Sequence, residues 1–157
     1  MLFKEVQYLR NAFIYILLAI AWVFSAGTMF LTSAPLTVQI ITSAVMLLVS
    51  VFLYMLRFQV QVREDAVVLR FLPFFKERVI LFEEMQSLTV HPISPISDYG
   101  GWGYRWMPLF DGVAYIMEGN MGATITLKSN GKKVAFSLKD AEGFKAALER
   151  SGYAVNR

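Results

Sequence analysis

The chain has 157 residues, of which 56% are hydrophobic and only 17% charged, and its formal net charge is +3. A charged share this far below the quarter usual for soluble domains points to a membrane protein, and a charge this close to balance excludes a nucleic-acid-binding domain, which needs a far more basic surface. The absence of cysteine excludes thiol catalysis, disulfides and Cys-ligated metals.

The hydrophobic surplus is concentrated near the start. From Asn11 to Leu56 there is no Lys, Arg, Asp, Glu or His. A helix needs about 20 residues to cross a hydrocarbon core about 30 Å thick, so this run suffices for two crossings. Thr32-Ser33-Ala34-Pro35 supplies the break between them, because Pro cannot continue a helix interior. The expected spans are Ala12 to Leu31 and Leu36 to Leu56, within an N-terminal segment of residues 1–57. A signal peptide would have a shorter apolar core, and about 100 downstream residues could not wrap two helices apolar on every side.

Lys4 and Arg10 precede the first span, Arg57 and Arg63 follow the second, and the turn carries no charge. The positive-inside bias then places both termini in the cytoplasm, as in a two-span inner-membrane protein. Tyr8, Tyr15 and Tyr54 are expected as interfacial anchors, and Trp22 falls mid-span. Ala12, Ala19 and Ala26 recur every seven residues, as do Ser43 and Ser50. Small residues on one stripe let helix backbones approach closely, either within the hairpin or in a homo-oligomer. Neither span contains an ionisable residue, so the marks of a proton relay or ion path are missing.

From Arg57 the language changes to strands. Phe58, Val60 and Val62 alternate with Gln59, Gln61 and Arg63, the two-residue period of a half-buried strand. Further strands are expected at 66–72, 76–81, 85–91, 112–118, 122–128 and 133–138. Asn130-Gly131 provides the residues that a two-residue hairpin turn requires. Asp140 is the expected N-cap of a final helix whose apolar stripe is Phe144, Ala147 and Leu148, with Gly152 as its stop.

Seven antiparallel strands followed by one amphipathic helix is the element order of the pleckstrin-homology (PH) superfold. Val79-Ile80-Leu81-Phe82-Glu83-Glu84-Met85, Tyr99-Gly100-Gly101-Trp102-Gly103-Tyr104-Arg105 and Gly119-Asn120-Met121-Gly122 together resemble the bacterial PH-like domains carried on small two-span membrane proteins. The resemblance covers residues 58–152 and implies a helical hairpin followed by an all-β PH-like barrel of seven antiparallel strands, capped by the C-terminal helix. It implies little about activity, since fold does not fix function.

The octet YGGWGYRW, residues 99–106, lies in the long connection from His91 to Asp111. Its rings, with Phe110, offer too much apolar area to leave in water. They can plug one end of the barrel, rest on the bilayer surface or meet a protein partner. Trp102, Tyr104, Arg105 and Trp106 are the candidate interaction residues, and Arg105 has Trp102, Trp106, Asp98 and Asp111 within reach as partners.

Residues 58–157 carry twelve Lys or Arg against eleven Asp or Glu. The best basic patch for an anionic headgroup is Lys128, Lys132 and Lys133 around the hairpin turn. His91 has no triad or metal-ligand spacing, Glu83 and Glu84 point to opposite faces, and GGWG lacks the residues of a phosphate or dinucleotide loop. No enzyme activity, metal or cofactor is expected. The sequence reads as a membrane-anchored interaction or scaffold module for a protein or peptide, with headgroup sensing and accessory-subunit roles as alternatives.

Overall fold

The computed structural model describes residues 1–9, 12–73, 77–107 and 111–153. Arg10, Lys76 and Phe110, which figured in the expected orientation, third strand and loop, lie outside that set. The chain divides into two compact units, Met1–Tyr8 with Arg57–Arg157, and Leu9–Leu56.

The second unit is a pair of helices, α1 (Ala12–Leu31) and α2 (Leu36–Met55), each 20 residues long. Both are long and apolar enough to cross a membrane. Neither has a buried residue, and side chains such as Phe30 and Leu31 are more than four-fifths exposed. That much exposed apolar surface is costly to leave in water. Half-buried residues recur as Leu18, Trp22, Ser25 and Met29 on α1 and as Gln39, Thr42, Met46 and Ser50 on α2, the spacing of one helix face. The Trp22 indole donates to Ser50 Oγ across the seam at 3.2 Å. Ser50 is half-buried and bonded to Trp22, whereas Ala12, Ala19, Ala26 and Ser43 are exposed.

Among its described residues the first unit has nine strands in two sheets, so the expected barrel of seven antiparallel strands is not what forms. β1 (Phe3–Tyr8), β2 (Arg57–Val62), β3 (Ala66–Leu72) and β4 (Arg78–Leu81) make a four-stranded sheet in that order. β5 (Met85–Pro92), β6 (Gly103–Met107), β7 (Gly112–Ile116), β8 (Met121–Leu127) and β9 (Lys133–Leu138) make a second sheet in the order β5-β8-β9-β7-β6. Two additions account for the extra strands. β1 lies before the hydrophobic segment, and β6 lies inside the stretch expected to be a loop. The β7–β9 pair is parallel, so the sheet is not the all-antiparallel arrangement that the PH-like resemblance implied.

The core lies between the inner faces of the sheets. Phe58, Val60 and Val62 are fully buried, as their alternation requires, and so are Leu88, Ile125, Val134 and Phe136 of the second sheet. Phe58 stacks on Tyr115 with ring centroids 5.6 Å apart. Helix α4 (Ala141–Arg150) completes this core: the Asp140 carboxylate accepts from the Gly143 amide at 2.8 Å, and Phe144 meets both Phe3 and Phe136 edge-on. The expected cap and stripe are both present.

β1 is joined to β2 residue by residue, from Phe3 opposite Val62 to Tyr8 opposite Arg57. Its inward positions after Phe3 are Glu5 and Gln7, where a strand would ordinarily carry apolar residues. Gln7 is fully buried, donating to the Ser137 carbonyl at 2.8 Å and accepting from the Ser137 hydroxyl at 2.7 Å and the Glu118 amide at 3.1 Å. The Glu5 carboxylate accepts from the backbone amides of Lys139 and Asp140, at the entry to α4, at 2.9 and 2.8 Å. These bonds fasten the first strand of one sheet to the last strand of the other.

Candidate functional site

The octet resolves into three pieces. A short helix, α3 (Pro95–Tyr99), ends at Gly100, whose φ of 69° is left-handed. Gly101 and Gly103 follow at φ 121° and 112°, values that L side chains rarely adopt, and β6 begins. Three glycines thus turn the chain from a helix into an edge strand within four residues. A side chain at Gly101 would also approach the Arg105 guanidinium, which lies 3.1 Å from where a Cβ would stand.

The rings divide between inside and outside. Tyr99 is buried with Ile93, Ala114, Ile116 and Ala135 in a second apolar cluster on the outer face of the five-stranded sheet, and Trp102 and Met107 pack against it. Ile93 reaches this face because Gly122 has no side chain: a Cβ there would stand 2.8 Å from Ile93 Cγ2. Trp102 is therefore a packing residue. Tyr104 takes the opposite, inner face, its ring 5.1 Å from Tyr115. Burial and the neighbouring Tyr115 push its phenol pKa up, against a smaller pull from Arg78. Trp106, 73% exposed, stands in the open.

Arg105 projects opposite to Tyr104 and Trp106, over Gly100 and Gly101. Among the described residues it makes no ion pair with Asp98 or Asp111. Asp98 instead accepts from the Ser94 amide and the Ser97 hydroxyl. Among the described residues β6 pairs on one side only, with β7, so its other side presents backbone donors and acceptors beside an exposed indole and a guanidinium.

Behind β6, the register sets Thr89, Thr124, Ala135, Ala114 and Arg105 in one row across all five strands. The two alanines lower the floor of this row and leave a cavity of about 230 Å³. Tyr99 and His91 stand at one rim, Lys133 and Met107 at the other. The His91 ring is fixed by two bonds. Nδ1 donates to the Pro92 carbonyl at 3.1 Å, which can only accept, and Nε2 faces the Thr124 hydroxyl at 3.0 Å. Burial raises the pKa of the Tyr99 phenol, partly offset by its hydrogen bond with Thr124.

The expected basic patch divides. Lys128 and Lys132 are exposed at the Asn130-Gly131 turn, while Lys133, first residue of β9, lines the cavity. Sequence reasoning set His91 aside for want of triad or metal-ligand spacing and did not reach Thr89 and Thr124, because the proximity of the three depends on a strand order that skips along the chain. Among the described residues no three His, Asp or Glu side chains converge as a metal site would need. Comparison with protein-family models, curated proteins and solved structures finds no match.

Proposed function

We propose that the protein is a membrane-anchored binding module, with its β domain at the cytoplasmic face, that takes an extended peptide by strand addition along β6. The observation that carries this reading is that, among the described residues, β6 pairs with a strand on one side only, beside a largely exposed Trp106. Exposed sheet edges are hazards that proteins usually cover or charge, and an indole left in water costs apolar burial that a partner would recover. Main-chain bonds along the edge would supply affinity, and the alternating side chains the selectivity. Arg105 on one face and Tyr104 and Trp106 on the other favour a segment alternating acidic and apolar residues.

The test is to pan a random peptide library against the full chain in lipid nanodiscs. The reading expects enrichment of alternating acidic-apolar peptides whose binding is lost in Trp106→Ala and weakened in Arg105→Glu. Peptides that bind both variants as well as the parent, or no enrichment at all, would overturn it. Headgroup sensing through Lys128 and Lys132 is the rival, and it expects salt-sensitive flotation of the β domain with anionic vesicles.

A further inference from the structure

The four-stranded sheet gathers cations on the face opposite Phe58, Val60 and Val62. Register sets that face: Tyr8 stands beside Arg57, Val6 beside Gln59, Gln59 beside Arg70, and Lys4 beside Gln61. Residues directly opposite share a side of the sheet, as do alternate residues along a strand, so Lys4, Arg57 and Arg70 project from one side. All three are exposed. With strands about 4.8 Å apart and alternate residues about 6.8 Å apart along each, they lie within about 15 Å of one another. Val6, Gln59 and Gln61, which stand among them, are neutral.

The chain's carboxylates do not offset these charges. All twelve Asp and Glu residues are among those described, and none pairs with Lys4, Arg57 or Arg70. Glu77 goes to Arg63 at 2.9 Å, Glu118 to Lys139 at 3.2 Å and Glu142 to Lys145 at 2.9 Å. Like charges gathered on one face repel one another, so the face is complementary to an anionic surface outside the chain. Continuity along the chain says which surface. Arg57 is two residues beyond Met55, the end of α2, and Tyr8 is four before Ala12, the start of α1, and an extended chain covers at most about 3.6 Å per residue. The inference rests on the reading that those helices lie in lipid, which brings headgroups within reach of Arg57.

We infer that this face of the four-stranded sheet docks on acidic phospholipid headgroups through Lys4, Arg57 and Arg70. A cation near an acidic bilayer strengthens association about fivefold, so three shift the docked-to-undocked ratio about a hundredfold. That is little for a protein arriving from solution, which must also lose its free motion. It is enough for a domain tethered to the bilayer that it binds. An acidic protein partner would meet the same three charges without the tether. The face belongs to the sheet that lacks β6, and Lys128 and Lys132 lie in the turn between β8 and β9 of the other sheet.

The experiment holds the full chain, amide-labelled, in nanodiscs of phosphatidylcholine alone or with added phosphatidylglycerol, each with a trace of headgroup-nitroxide lipid, and follows amide relaxation by NMR. Acidic lipid should enhance relaxation at Lys4, Gln61 and Arg70, and added salt should reverse the gain. Lys4→Gln combined with Arg70→Gln should lower the docked-to-undocked ratio about twenty-five-fold, an effect that Lys128→Gln combined with Lys132→Gln should not reproduce. Both positions of the first variant are exposed, and its amide spectrum reports whether it folds. Equal relaxation in the two lipids, or loss only in the Lys128 and Lys132 variant, would overturn the proposal. So would polyglutamate shifting these amides where acidic lipid does not, which would give the face to a protein. A nitroxide in the acyl chain tests the anchor separately: Ala19 and Val45 should relax fast in both lipids, and if they do not, the membrane reading itself fails.

Discussion

β1 and β6 are both edge strands, one at the end of each sheet, and they treat their polar groups in opposite ways. β1 turns Glu5 and Gln7 inward and commits them to Ser137, Glu118, Lys139 and Asp140, so its inner face is stitched to the neighbouring sheet. β6 leaves Trp106 and Arg105 exposed, one on each face, and its far side unpaired among the described residues. An edge strand held from its inner face by buried polar bonds reads as architecture. An edge left open beside an exposed indole reads as a place for something else to bind. The contrast also separates two kinds of residue within one octet, since Trp102 is packed and Trp106 is not.

The contrast can be broken most readily at Gln7. Gln7→Ala should cost about 3 kcal/mol, because it orphans the Ser137 hydroxyl and the Glu118 amide in a buried site; chaotrope unfolding of the full chain in detergent measures it, and a loss under about 1 kcal/mol would remove β1 from the core. Trp102→Ala should cost about 2 kcal/mol by vacating the cluster around Tyr99, read by the same melt. Glu5→Gln keeps the shape but surrenders a charge-assisted bond to the entry of α4, for about 1 kcal/mol.

A pH series sharpens the picture of the phenols that folding shields from water. Burial raises the pKa of Tyr99, Tyr104 and Tyr153 above the ordinary 10.0, so the folded state holds those protons more tightly than the unfolded chain. Their contribution is complete below pH 10 and is lost as pH climbs from there through the raised values. Ultraviolet titration of phenolate should accordingly show a late fraction in folded protein that vanishes in denaturant. The smallest stability change belongs to Trp106→Ala, within about 0.5 kcal/mol as for other exposed positions, although peptide capture should disappear with it.

Much of the architecture was legible from pattern. The 46 uncharged residues with their central Pro35 announced the two helices, and alternation in Phe58–Val62 and the Asp140 cap announced β2 and α4. β1 escaped because its inner face reads Phe3, Glu5, Gln7, which looks polar until Ser137 and the α4 entrance are placed beside it. β6 escaped because three glycines and four rings in eight residues resemble a loop. The cavity could not be read at all. Its floor is a row of residues drawn from five strands, and nothing local in the chain announces that β7 runs parallel to β9 or that β5 pairs with β8.

The proposed function rests on a hydrophobic hairpin set in lipid and on a β domain at the cytoplasmic face. Because the chain has no cysteine, single cysteines report position without background. Ser33→Cys, Lys4→Cys and Lys128→Cys, each expressed in cells and exposed to a membrane-impermeant maleimide, give the direct test. The account predicts that the cysteine at position 33 is labelled in intact cells, while those at positions 4 and 128 are labelled only after permeabilisation. Labelling of position 4 or 128 from outside, or of all three alike, would contradict it.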